Sequence, residues 1–293
     1  MSGAWSQLLA GLAARRRRAL IRALLAQADI RELVWLPPPG SPLHHGESTV
    51  KLAMDQVIGP RTLAFGHWHD EHCELLRARL APGQRYHLID VGANAGLVSR
   101  QLLAAPAAPF VGADCFEPDP HNHALLAHNL APFAGVRTHE AALSDADGEA
   151  ELFRGARNAG DISLAPGARL RAQGDLQRRL VRLVDGHRFG EALLAALPAD
   201  VRLVWKSDTQ GHDIRIANTM PDALWERVDA AMIEVRSVPL EPAARDRFLA
   251  LISRFPHCHS IKRGLRRFGP DELRAFLARE SEQELDLLLA RRG

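Results

Sequence analysis

The residues able to do chemistry stand in a fixed order along this chain, each at the end of a short apolar run. The first group is Asp90-Val91-Gly92-Ala93-Asn94-Ala95-Gly96, which follows the run His87–Val91. Gly92 and Gly96 let the backbone turn sharply and lie close to a ligand. The loop opens a helix, whose N-terminal N–H groups favour a carboxylate. The dinucleotide fingerprint G-x-G-x-x-G, counted from Gly92, would need glycine at Asn94 and at Leu97, so a pyrophosphate lacks its close backbone approach. Asp90 adds a carboxylate that suits an ammonium group.

The next run ends in Phe116-Glu117-Pro118, where a carboxylate can accept hydrogen bonds from both hydroxyls of a ribose. The third gives Ala141-Ala142-Leu143-Ser144-Asp145 and then Gly148, small and apolar residues that either flank an adenine ring or make a plain turn. The fourth ends in Trp205-Lys206-Ser207-Asp208-Thr209-Gln210-Gly211-His212-Asp213. A lysine and an aspartate leaving an apolar strand pair with each other or form a reaction centre, because buried charge is costly unless compensated. Their position favours the reaction centre. The fifth, Ile233-Glu234-Val235, either closes a pocket or pairs with an arginine.

These groups need a scaffold that brings successive strand ends together. The spacing predicts strands at His87–Val91, Phe110–Phe116, Val136–Ala142, Arg202–Lys206 and Ala231–Val235, with helices at Val98–Ala105, His121–Leu130, Pro221–Arg227 and Pro242–Ser253. Short strands are expected at Ala150–Phe153, Leu180–Val184 and His257–Ile261. Leu8, Leu9, Leu12, Leu20, Ile21, Leu24 and Leu25 recur at helical spacing over 5–30, and Pro37–Pro42 reads as a linker. A further helical stretch ends before Ala81-Pro82-Gly83, and Pro270-Asp271 starts a C-terminal helix over 270–291. The expected fold is therefore α/β: a Rossmann-like, mostly parallel sheet with helices on both faces, plus an N-terminal helical extension. Its ligand site lies at the carboxyl ends of the strands. The expected organisation is an N-terminal extension and linker over 1–60, a cofactor-binding domain over 61–265, and a C-terminal helix over 266–293.

In order and spacing, the motifs resemble the FkbM-type methyltransferases. The resemblance rests on I-D-V-G-A-N-A-G at Ile89–Gly96, F-E-P-D-P at Phe116–Pro120, Asn129-Leu130 and A-L-S-D-A-D-G at Ala142–Gly148. It continues through Gly160-Asp161-Ile162-Ser163-Leu164, Trp205–Asp213 and Ile233-Glu234-Val235, and covers roughly 62–236. It implies a class I enzyme that uses S-adenosyl-L-methionine, acting on a hydroxyl of a sugar or secondary metabolite. It further implies cofactor contacts at Asp90, Gly92, Asn94, Gly96, Glu117, Pro118, Ala142, Leu143, Ser144 and Asp208. Lys206 and Asp208 match the family's K-x-D element near the transferred methyl. The family usually carries an acidic residue where this chain has Gln210. Methyl transfer requires alignment of the acceptor and removal of its proton. Asp208 or His212 is expected to take that proton, with Lys206 orienting a nearby group.

The remaining features narrow the partners. The formal charge is +2, and arginine supplies nearly all the basic residues apart from Lys51, Lys206 and Lys262. No strong basic excess points to nucleic acid, and no N/D-P-P-Y/F strand end is present for base amines. A nucleic-acid methyltransferase, or a cofactor-binding module that has lost catalysis, are the alternative readings. Arg15–Arg18 could touch an anionic surface or nucleic acid but reads more readily as a solvated face, and the helix that carries it either packs on the core or mediates a dimer, so a homodimer stays open. Cys73, Cys115 and Cys258 are few, odd in number and widely spaced, which fits a reducing cytoplasm. No apolar run is long enough to span a membrane. His67-Trp68-His69-Asp70-Glu71-His72-Cys73 and His257-Cys258-His259 fit no standard zinc spacing, so no metal is expected. The first cluster suits a lid or an acceptor pocket.

Overall fold

The computed structural model describes residues 30–55, 57–105, 109–155, 160, 162–164, 176–262, 264–279 and 281–292, together with 16, 19, 21 and 23. Most of the expected N-terminal helix and of the Arg15–Arg18 run lies outside these residues; Arg16, Ala19, Ile21 and Ala23 are helical.

Two strands precede the cofactor-loop region: β1 (Glu32–Trp35) and β2 (Val50–Ala53), an antiparallel pair. The main sheet contains β3 (Tyr86–Val91), β4 (Phe110–Phe116), β5 (Val136–His139), β10 (Arg202–Ser207), β11 (Val228–Arg236), β12 (His257–Ser260), β13 (Arg266–Arg267) and β14 (Glu284–Ala290). Its order is β13-β12-β14-β11-β10-β3-β4-β5. From β5 to β11 neighbouring strands run parallel, while β14 is antiparallel to both β11 and β12. This is the Rossmann-like, mostly parallel α/β sheet. The chain leaves β3 toward β4 on one side and later returns to β10 on the other. The carboxyl ends of β3 and β10 therefore meet at a topological switch point, where such sheets bind ligands.

Both faces are covered. On one, Val91, Trp205 and Ile233 pack with Ile216, Leu224 and Phe248 from the helices Asp213–Thr219, Asp222–Arg227 and Pro242–Ile252. On the other, Leu88, Cys115 and Val204 pack with Leu76, Leu102 and Leu126 from the helices Asp70–Arg77, Leu97–Ala104 and Pro120–Leu130. A smaller sheet, β6 (Ala142–Ser144), β9 (Gln177–Asp185), β7 (Gly148–Arg154) and β8 (Ile162–Ser163), stands beside the switch point.

Three expectations are corrected. The stretch 270–291 is not one helix: the helix ends at Leu277, and 284–290 is β14, inserted between β11 and β12. Leu285, Leu287, Leu288 and Leu289, broken only by Asp286, are all buried, which suits a strand covered on both faces, and periodicity alone does not separate this from a buried helix. A boundary at 265 therefore cuts the main sheet. The extension over 1–60 is not wholly helical either, since β1 and β2 dock on the helix Pro120–Leu130 through Lys51 N–H to Asn129 Oδ1 at 2.6 Å. Finally, Val136–Ala142 is two strands. β5 pairs with β4, and β6 pairs in parallel with β9.

Candidate active site

The glycine loop is closed on itself. Gly92 N–H and Ala93 N–H both donate to Phe116 O, at 3.0 and 2.9 Å, and Gly96 N–H donates to Ala93 O at 2.8 Å. Asn94 N–H donates to Glu117 Oε2 at 2.9 Å, and Ala95 N–H to Asn94 Oδ1 at 2.7 Å. Every N–H from Gly92 to Gly96 is thus taken, two of them by side-chain oxygens. A pyrophosphate laid on this loop would meet the Glu117 carboxylate. Gly92 is required by geometry: its φ is 74°, and a Cβ would fall 2.1 Å from Asp208 O. At Gly96 a Cβ would meet Leu126 Cδ1 at 2.6 Å, so this glycine lets the next helix pack.

Beneath the loop lies Asp90, fully buried. Because β3 and β10 are in register at Asp90 and Lys206, the two side chains meet. Lys206 Nζ sits 2.8 Å from Asp90 Oδ1 and donates to Gly92 O at 2.8 Å; Ser99 Oγ donates to Asp90 Oδ2 at 2.5 Å. Burial works against the ammonium charge, but Asp90 and Asp208 outweigh it and raise the Lys206 pKa. The lysine therefore stays protonated, with one of its three N–H donors left for another partner.

A cavity of about 460 Å³ opens at the strand ends. Gly92, Asn94, Glu117 and Pro118 line it from β3 and β4, and Ala142 and Leu143 from β6. Lys206, Asp208 and His212 line it from the β10 end. Of the expected residues, Asp90, Gly96 and Ser144 lie behind this lining. Asp90 uses its oxygens on Lys206 and Ser99, so it is not the carboxylate that faces the cavity. Glu117 is 4% exposed, and burial pushes its pKa up to about 7. Its oxygens accept from Asn94 N–H and Asp119 N–H, which leaves lone pairs unused.

His212 and Asp208 have separate surroundings. His212 Nε2 is 3.2 Å from Ser144 Oγ at the end of β6, and burial lowers its pKa. Asp208 Oδ1 accepts from Gln210 Nε2 at 2.8 Å, and the same amide donates to Glu234 Oε1 at 3.0 Å. Arg236 donates to Gln210 Oε1. Gln210 thus bridges two carboxylates and a guanidinium. A glutamate here would set a third carboxylate against Asp208 and Glu234. Burial, then Asp208 and Glu284, push the Glu234 pKa up to about 9, and burial with Asp208 pushes Asp213 up to about 6.

The structure adds residues to the site beyond the strand-end groups, among them His69 and His72 from the His67–Cys73 cluster expected to form a lid or acceptor pocket. Lys262, Glu284 and Asp286 line the cavity from the segment after β12 and from β14, and Arg61, His69 and His72 line it from the segment before β3. The His67–Cys73 cluster is conspicuous in the sequence for its density, whereas Glu284 and Asp286 are hidden by the helix expected over β14. Non-glycine residues at left-handed φ number five among the described residues, and three of them, His69 (51°), Asn94 (52°) and Gln210 (58°), line this cavity. Such conformations persist where surroundings enforce them, commonly at functional sites. Among the described residues, no group of three or more His, Cys, Asp or Glu is placed to hold a metal ion. His257 and His259 do not line this cavity. No described helix is long and apolar enough to cross a membrane.

No family model matches the chain, and no curated protein matches it. Solved structures do resemble it. Precorrin-6y C5,15-methyltransferase from Geobacter metallireducens is 13% identical, with 76% of this chain and 88% of that chain covered at a TM-score of 0.34. An rRNA methylase from Streptococcus thermophilus is 7% identical, covering 76% and 95% at 0.37. Precorrin 8w decarboxylase from Methanobacterium thermoautotrophicum is 11% identical, covering 75% and 89% at 0.34. Likenesses at these identities and TM-scores carry no argument about activity.

Proposed function

We propose that the protein is a class I, FkbM-type methyltransferase that moves a methyl group from S-adenosylmethionine to a hydroxyl of a small molecule. The observation that carries this reading is Glu117: a buried carboxylate, bonded to the glycine loop, with unused lone pairs at a cavity wall. A vicinal diol supplies the paired donors such a carboxylate lacks. The bonded loop disfavours a pyrophosphate, which sets dinucleotides aside.

In this reading Glu117 holds the ribose, and Pro118, Ala142 and Leu143 flank the adenine. The remaining Lys206 donor meets the amino-acid carboxylate, and Asp208 meets its ammonium. Gly92 and Asn94 keep the loop in the required path, while Asp90, Gly96 and Ser144 support these residues from behind. The bound cofactor supplies an electrophilic methyl on a sulfonium. The chain's own residues align the acceptor, exclude water and take its proton.

Calorimetry with S-adenosylhomocysteine tests the reading. Wild type binds, and Glu117→Ala weakens binding roughly 10- to 100-fold through loss of charge-assisted hydrogen bonds. Unchanged affinity in that variant rules the reading out. Binding with no tritium transfer from labelled S-adenosylmethionine to any of a panel of glycosides would instead indicate a cofactor-binding module.

A further inference from the structure

The cavity lining also holds an imidazole pair with its own support. Gln101, fully buried on the helix Leu97–Ala104, accepts from Trp68 N–H at 2.9 Å and donates to Trp68 O and, at 3.2 Å, to Cys73 Sγ. This clamp fixes the segment that carries His69 and His72. His69 sits at left-handed φ, and its ring meets the His72 ring edge-on at 4.7 Å between centroids. His72 Nε2 lies 3.2 Å from Asp286 Oδ2 on β14, and Lys262 Nζ lies 3.0 Å from Asp286 Oδ1. All four side chains line the cavity.

We propose that His72, oriented by Asp286, is the base that takes the proton from the acceptor hydroxyl. This rests on the methyl-transfer reading above. With Nε2–H donated to Asp286, Nδ1 keeps the lone pair. As the acceptor oxygen bonds the methyl carbon, the carbon–sulfur bond breaks and its electron pair stays on sulfur. The hydroxyl proton passes to Nδ1, and the resulting imidazolium later releases it to water. Asp286 is the positioning residue: it fixes the tautomer and stabilises the imidazolium.

The surrounding charges suit this role. Burial opposes ionisation of Asp286, but His72 and Lys262 hold its carboxyl below the usual range, so it stays anionic. Burial and the neighbouring His72 push His69 down to about 4, so it stays neutral at pH 7 and does not repel the imidazolium. Other charged groups lining this part of the cavity are Glu234 from β11, whose Oε2 is 3.4 Å from Lys262 Nζ, Glu284 from β14, Arg61 from the helix Ile58–Phe65 and Asp208 from the loop after β10. The candidates expected from the sequence are engaged elsewhere, Asp208 with Gln210 and His212 with Ser144.

The test uses full-length, imidazole-15N-labelled protein saturated with S-adenosylhomocysteine, with the His72 signal identified by its loss in His72→Gln. His72 is expected as the Nε2–H tautomer, held by Asp286 at 3.2 Å, and Asp286→Ala lowers the share of that tautomer as the facing acceptor is lost. An Nδ1–H tautomer in the unsubstituted protein, or a tautomer balance unchanged in Asp286→Ala, overturns the proposal. Failure to bind S-adenosylhomocysteine at all removes the methyl-transfer reading, and the proposal with it. With any glycoside that accepts tritium from labelled S-adenosylmethionine, His72→Gln lowers kcat about 100-fold or more while S-adenosylhomocysteine affinity is unchanged. A variant that keeps full kcat refutes the role.

Discussion

Glu117 is held at the edge of ionisation. Its pKa, about 7 in the folded chain, lies above the usual carboxylate value, so near neutrality the folded protein holds a proton that the unfolded chain has released. The ionised form accepts from a diol, and the protonated form loses part of that capacity. Affinity for S-adenosylhomocysteine should therefore fall as pH drops below about 7, by up to tenfold per unit, and level off above it. Glu117→Gln should flatten this dependence in calorimetry between pH 5.5 and pH 8. At the same scale, the order of chemical groups was legible in the sequence: Gly92, Glu117, Lys206 and Asp208 reach one site because each ends a strand. The partners were not. Nothing in the local pattern says that Asp90 turns inward to Lys206, because that pairing comes from the register of two strands far apart in sequence.

At the scale of elements, the two loop glycines do different work. Gly92→Ala combines a left-handed φ with a Cβ that would push the β3 and β10 ends apart, through Asp208 O. It should weaken S-adenosylhomocysteine binding at least tenfold as well as lower stability. Gly96→Ala carries the same left-handed strain, at a φ of 73°, but its Cβ meets the tip of a leucine and not a strand end, so its cost should appear in urea unfolding with a smaller effect on affinity. Equal effects of the two variants on affinity would contradict this division. The elements themselves were readable where periodicity was clean, as in Phe110–Phe116. They were misread where an apolar run carried no period. Leu285–Ala290 is compatible with helix or strand, and only its place between β11 and β12 decides.

Across the whole molecule, Arg100 ties the N-terminal region to the main domain. Fully buried, it donates to Leu43 O and Asn129 O at 2.8 Å each, and to Ser48 O at 3.1 Å and Ser48 Oγ at 2.7 Å. Burial lowers its pKa to about 10, which still leaves it charged near neutrality. Arg100→Leu would strand two buried carbonyls, those of Leu43 and Asn129, and should cost about 3 kcal/mol or more, read as a lower urea midpoint. No reading of the arginine-rich composition singles this residue out, since its role depends on three segments meeting around it.

The position of β14 also has a consequence for how the protein is made. During translation β11 and β12 emerge before the strand that must separate them. Until β14 arrives, the nascent chain presents open strand edges, surfaces prone to wrong pairing and attractive to chaperones. Glu284 and Asp286 enter the cavity on that same strand, so the glycine loop and Glu117 can be in place on the ribosome well before β14 completes the lining. The order of synthesis thus delays the complete site until the sheet is sealed.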